Sequence, residues 1–84
     1  MQVTHEFEMT STCPMNGRED RYSVILTTDK FVAVEDILQF AEEFRHVKVF
    51  QENITMELSK HFDAKVVTTG LHGNVRTKCE CSPQ

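Results

Sequence analysis

The chain has 84 residues, 39% hydrophobic and 26% charged, enough for one small domain with a core, too short for two and too apolar for a disordered segment. Thirteen acidic against nine basic side chains leave a formal net charge of −4, and the basic ones are scattered. Without a Lys/Arg patch to release condensed counterions, nucleic acid is not expected as the primary ligand.

From Gln2 to Thr10, Val3, His5, Phe7 and Met9 alternate with polar residues, the period of a strand with one wet face. Next comes Ser11-Thr-Cys-Pro-Met-Asn-Gly-Arg-Glu-Asp20. Pro14 pushes Cys13 toward an extended backbone and Asn16-Gly17 supplies a reversal, so the spacing predicts a loop with Cys13 and Asp20 at its stems. Stem residues of a hairpin face each other across roughly 5 Å, a separation at which a thiol and a carboxyl group act on one small substrate. The structural alternatives are a small core cysteine and an acid that caps the loop.

Arg21–Thr28 is rich in β-branched and aromatic residues, with Tyr22, Val24 and Leu26 on one face, and reads as the hairpin partner of the first strand. Past Asp29-Lys30 the period lengthens. Val34, Ile37, Leu38, Ala41 and Phe44 mark one face of a first helix, with Glu35 and Asp36 in its first turn and Arg45, His46 and Lys48 near its end. Phe50, Ile54, Leu58 and Phe62 mark a second helix ending near Asp63, with Asn53 as its candidate cap.

Lys65–Thr69 returns to strand composition, Gly70 and Gly73-Asn74 read as turn positions, and Val75, Thr77, Cys79 and Cys81 alternate with Arg76, Lys78 and Glu80. Ser82-Pro83-Gln84 reads as a frayed tail. The predicted order is ββααββ in a single α+β domain. One sheet face and both sheet edges are left needing cover, so a homo-oligomer with sites between subunits is expected.

Three cysteines cannot all pair, and Cys79 and Cys81 stand too close in a strand to bridge each other, which points to a reducing compartment. Residues 1–6 contain no basic region and no apolar run, and no stretch is long enough for a membrane span. A cytoplasmic protein is expected. A zinc site from Cys79, Cys81 and His72 lacks the usual two-residue spacing and a fourth ligand, so no metal is expected. His5, His46, His61 and His72 carry no assigned role.

The run Cys13-Pro14-x-x-Gly17-x-x-Asp20, then Val34-Glu35, Phe44-Arg45 and Phe50-Gln51-Glu52, then a late glycine turn, resembles the single-module 7-cyano-7-deazaguanine reductases, the QueF-type nitrile reductases of queuosine biosynthesis. The likeness runs from about Phe7 to Cys81 and implies the tunnelling fold, or T-fold. It also implies roles: Cys13 attacks the nitrile carbon to form a thioimide, Asp20 delivers a proton, and Glu52 accepts from the purine-like edge. Each role is chemically sound, because a nitrile is a weak electrophile that needs a thiolate and a proton for its nitrogen. A deazaguanine edge sets a ring N–H beside an amino group, which a carboxylate accepts in bidentate fashion. A first-turn carboxylate at a helix N-terminus is the structural alternative for Glu52.

The chain departs from the family at two places. The family's Glu-Ser-Lys-Ser-Leu-Lys, which contributes to binding NADPH, is here Glu35-Asp36-Ile37-Leu38-Gln39-Phe40. Glu35 is retained and kept as a substrate-binding candidate, while the lysines that would meet the phosphates are gone. The histidine of Phe-His-Glu is replaced by Gln51, which cannot shuttle a proton. The related QueF-like amidinotransferases keep the cysteine and aspartate, lack the cofactor motif, and add ammonia to the nitrile of a deazaguanine in transfer RNA. A free deazaguanine nitrile suits the acidic balance better than a transfer RNA, though the latter stays open. The non-enzymatic alternative is an oligomeric module that binds a purine or pterin.

Overall fold

A computed structural model describes residues 1–83. It contains β1 (Val3–Thr12), β2 (Glu19–Thr28), α1 (Val34–Phe44), α2 (Gln51–Phe62), β3 (Lys65–His72) and β4 (Val75–Cys81). The strands form one antiparallel sheet in the order β1-β2-β3-β4, which is the ββααββ arrangement expected from the sequence. Gln84 of the expected tail lies outside the described residues.

One sheet face carries Met9, Tyr22, Val24, Leu26 and Val66, and these meet Ile54, Leu58 and Phe62 of α2 and Ile37 and Phe40 of α1 in a single core. The opposite face is polar apart from residues such as Ile25 and Leu71. The period of two in β1 and β2 is thus the signature of a sheet covered on one side.

Several element boundaries differ from the sequence reading. β1 runs to Thr12 and β2 begins at Glu19, two residues further into the loop on each side. Ser11, Thr12, Glu19 and Asp20 pair in the ladder although none is apolar, because the turn between them closes tightly. Its bonds are Cys13 N–H to Arg18 O (2.8 Å), Gly17 N–H to Cys13 O (2.9 Å) and Arg18 N–H to Asn16 Oδ1 (2.9 Å), with Gly17 at φ 73° where a side chain would be strained.

β3 continues through Gly70 to His72 rather than turning at Gly70. α2 starts at Gln51 with Phe50 as its N-cap residue, so Asn53 falls inside the first turn and caps nothing. In α1 the buried positions are Ile37 and Phe40, while Val34 and Leu38 face outward. That helix rests against the β1 edge of the sheet, so only a narrow stripe of it is covered. Its last turn holds no basic residue; Arg45 is the C-cap residue and pairs with Glu42 at 3.5 Å. Among the described residues, no helix is long and apolar enough to cross a membrane.

Candidate functional site

The sheet register assembles the site. Ser11 pairs with Asp20 and Met9 with Tyr22, and on the other side Tyr22 pairs with Gly70. Residues two apart on a strand share a face, so Ser11, Asp20, Tyr22, Gly70 and His72 all lie on the helix-covered side, at its turn end. Asp20 therefore faces Ser11, not Cys13, whose own partner is Arg18. Cys13 stands one step beyond, on the diagonal from Asp20 and half-buried.

Tyr22 is the hub. Its ring is buried, its hydroxyl donates to Asp20 Oδ2 (3.3 Å), and it accepts from Ser11 Oγ (3.3 Å). Burial pushes the phenol pKa up to about 12. The Ser11 hydrogen bond opposes that rise, while the Asp20 carboxylate and, more weakly, the neighbouring Cys13 add to it. The thiol of Cys13 thus sits within electrostatic reach of the Tyr22 hydroxyl. A phenol held this high stays protonated at neutral pH and is a permanent donor to Asp20.

His72 completes the group from β3, its Nε2 3.6 Å from Asp20 Oδ1. The two oxygens of Asp20 are therefore distinguished: Oδ2 takes the tyrosine proton donor and Oδ1 faces the imidazole. Asp20 also borders a shallow groove, but the side chains that edge it, Glu8, Arg21, Leu71 and Arg76, belong to the opposite face of the sheet.

The start of α2 is brought to this end by a short pairing of β1 with the segment before the helix. Thr12 N–H donates to Val47 O (3.0 Å) and Val49 N–H to Thr12 O (3.2 Å). Three residues beyond Val49, Glu52 enters the first turn of α2 with its side chain exposed, at the same end of the sheet as Cys13 and Asp20. Glu35 does not join them. It opens α1 just past Thr28, at the opposite end of β2, and the 11-residue helix puts about 16 Å between its two ends.

Gln51 holds the helix start in place. Its Nε2 donates to Thr77 O (3.0 Å), Thr68 Oγ1 (3.1 Å) and Thr68 O (3.3 Å), clamping α2 to β3 and β4. The Thr55 hydroxyl donates to Gln51 O (2.8 Å) and lies 2.6 Å from Thr68 Oγ1, closing a buried ring of polar contacts. Gln51 Oε1 is buried with no hydrogen-bond partner and lies against Gly70 and the edge of the Tyr22 ring. Thr55→Val keeps the volume and removes the shared hydroxyl. It is expected to lower stability by about 1 kcal/mol, read in thermal unfolding as a drop in Tm of roughly 4–8 °C. A Tm at or above the parent's would show that the ring adds nothing.

Cys79 and Cys81 lie opposite Thr68 and Val66, while His72 lies opposite Val75, and all three cysteines are free. Among the described residues, no three His, Cys, Asp or Glu side chains group closely enough to hold a metal ion.

A solved structure titled "Crystal structure of the archaeosine synthase QueF-Like in the apo form" superposes on the chain with a TM-score of 0.89, covering 95% of this chain and 90% of the other. The chain has the tunnelling fold. Sequence identity in that superposition is 16%, so the likeness is one of architecture. No family model and no curated protein sequence matches the chain. The tunnelling fold explains why the β1–β2 turn, the start of α2 and the end of β3 converge: all three lie at one end of the same sheet.

The sequence reading singled out Cys13, Asp20 and Glu52, and these three share that end. It gave no role to Tyr22, Ser11 or His72. For Tyr22 the signal was present, since Asp20 and Tyr22 are two apart on one strand and so share a face. For His72 it was not, because its nearness to Asp20 depends on the β2–β3 register.

Proposed function

We propose that the chain is an enzyme that captures the nitrile of a 7-cyano-7-deazaguanine as a covalent thioimide on Cys13. Asp20 protonates the nitrile nitrogen and Glu52 accepts hydrogen bonds from the purine-like edge. The observation that carries this reading is the convergence of Cys13, Asp20 and Tyr22 at the closed end of the β1–β2 hairpin, with the acid held by a phenol that does not ionise at neutral pH. The architecture shared with a protein named as an archaeosine synthase supports it. Copies of the chain join through the open edges of β1 and β4, and Glu35 comes to the ligand from a neighbouring copy.

One observation favours amidine formation with ammonia over reduction by NADPH. The two positions at which the reductase motif carries lysine are Ile37 and Phe40, and both are packed into the core, 4% and 8% exposed. Neither can meet a phosphate. In the amidine reaction ammonia adds to the thioimide carbon, the C–S bond breaks, and a proton from the nitrogen returns to sulfur. The nitrile, ammonia and protein together balance it.

Incubation with the nitrile should raise the intact mass by that of one ligand and give thioimide absorbance. Added ammonia should release an amidine with no oxidation of NADPH. A mass that stays unchanged under saturating nitrile rejects the enzyme reading and, with reversible purine or pterin binding, selects the non-catalytic module. Glu52→Gln keeps the shape and removes the charge that accepts two donors, so ligand affinity should fall roughly 10- to 100-fold. Equal affinities in a calorimetric titration would remove Glu52 from the site.

A further inference from the structure

We propose that His72 is the proton-relay residue that resupplies Asp20 from solvent, an inference that rests on the nitrile-capturing reading above. Three features of the site support it. Asp20 is largely enclosed, its side chain 15% exposed, whereas the His72 side chain is 42% exposed and reaches water directly. Oδ2 of Asp20 is already held by the Tyr22 hydroxyl, so the carboxyl proton belongs on Oδ1, the oxygen that His72 Nε2 faces at 3.6 Å. That separation is an ion-pair distance, and catalytic contacts of this length in a ligand-free site tighten when the ligand binds. Tyr22 is no substitute as a proton source, since burial holds its proton firmly.

The step balances within the chain and water. Asp20 starts as a carboxylate, and the His72 imidazolium passes a proton from Nε2 to its Oδ1 as the ligand enters. The Cys13 thiol gives its proton to water, the Sγ–C bond forms as one π bond of C≡N breaks, and the nitrogen takes the proton from Oδ1. Asp20 is left as a carboxylate again, and His72 regains a proton from water. The sum is addition of S–H across the triple bond. His72 does not touch the ligand in this scheme; it acts through Asp20.

The test follows thioimide absorbance after rapid mixing of the full chain with the nitrile. His72→Ala should form the adduct about 100-fold more slowly, the low end of what positioned proton transfer contributes, and added imidazole should restore much of the rate by occupying the vacated space. His72→Gln retains a donor to Oδ1 but carries no exchangeable charge, so it should be equally slow and indifferent to imidazole. A purely structural His72 gives the opposite pattern: a parental rate in His72→Gln, or no imidazole response in His72→Ala. Either result overturns the relay while leaving capture at Cys13 intact. A parent protein that forms no thioimide overturns the capture reading and the relay with it.

Discussion

Cys13→Ala is expected to show no mass increase on incubation with the nitrile and to lose turnover by on the order of 10³-fold or more, while still binding the ligand reversibly. The sulfur is the one atom that the chain itself contributes to the proposed reaction whose lone pair bonds to carbon, and the methyl group of alanine has no substitute for it. Folding should be little affected, because Cys13 is half-buried and its turn is held by backbone bonds to Arg18 and Gly17. Cys13→Ser separates nucleophile strength from shape. A hydroxyl in the same place is far harder to ionise, so it should also fail to form the adduct. The chain supplies its own control in Cys79 and Cys81, which are free and half-buried like Cys13. An adduct persisting in Cys13→Ala, mapped to either of them by peptide mass, would sink the assignment.

What the sequence made legible follows the apolar pattern. Val3 to Met9 reads as a strand because every second residue is apolar, Arg21 to Thr28 because it is rich in β-branched and aromatic residues, and Ile54, Leu58 and Phe62 as a helix because they recur every fourth. The pattern fails where a strand end is polar. Ser11-Thr12 and Glu19-Asp20 are paired strand residues that look like loop, and that stretch holds Asp20, the acid nominated for the site. Cys13 and Asp20 could be nominated from the Pro-Asn-Gly turn, but which group faces Asp20 was decided by register, and the answer is Ser11. His72 was seen as a residue near glycines, and only the pairing of Tyr22 with Gly70 brings it to Asp20. Gln51 looked like the loss of a histidine; in three dimensions its amide is a buried clamp on two strands.

Gly70→Val is expected to destabilise the fold by about 3 kcal/mol and to slow thioimide formation, although valine is the better strand residue by local preference. Strand preference spans only about 1 kcal/mol, and the space around Gly70 works against it. A Cβ at this position would lie 3.0 Å from Gln51 Oε1 and 3.0 Å from Tyr22 Cδ1, tighter than nine in ten real Cβ contacts. Both neighbours are buried and neither is free to yield. Gln51 is fixed through Nε2 to Thr68 and Thr77, and the Tyr22 ring through its hydroxyl to Asp20 and Ser11. Pushing the ring moves the phenol off Asp20 Oδ2, and pushing the amide frees the start of α2 and Glu52 with it. The glycine read from the sequence as a turn is thus the gap into which the tyrosine and the glutamine are packed. Urea unfolding gives the stability change and rapid-mixing absorbance the rate. A Gly70→Val protein as stable as its parent would mean that the 3.0 Å approaches relax at no cost and that Tyr22 is not held where Asp20 needs it.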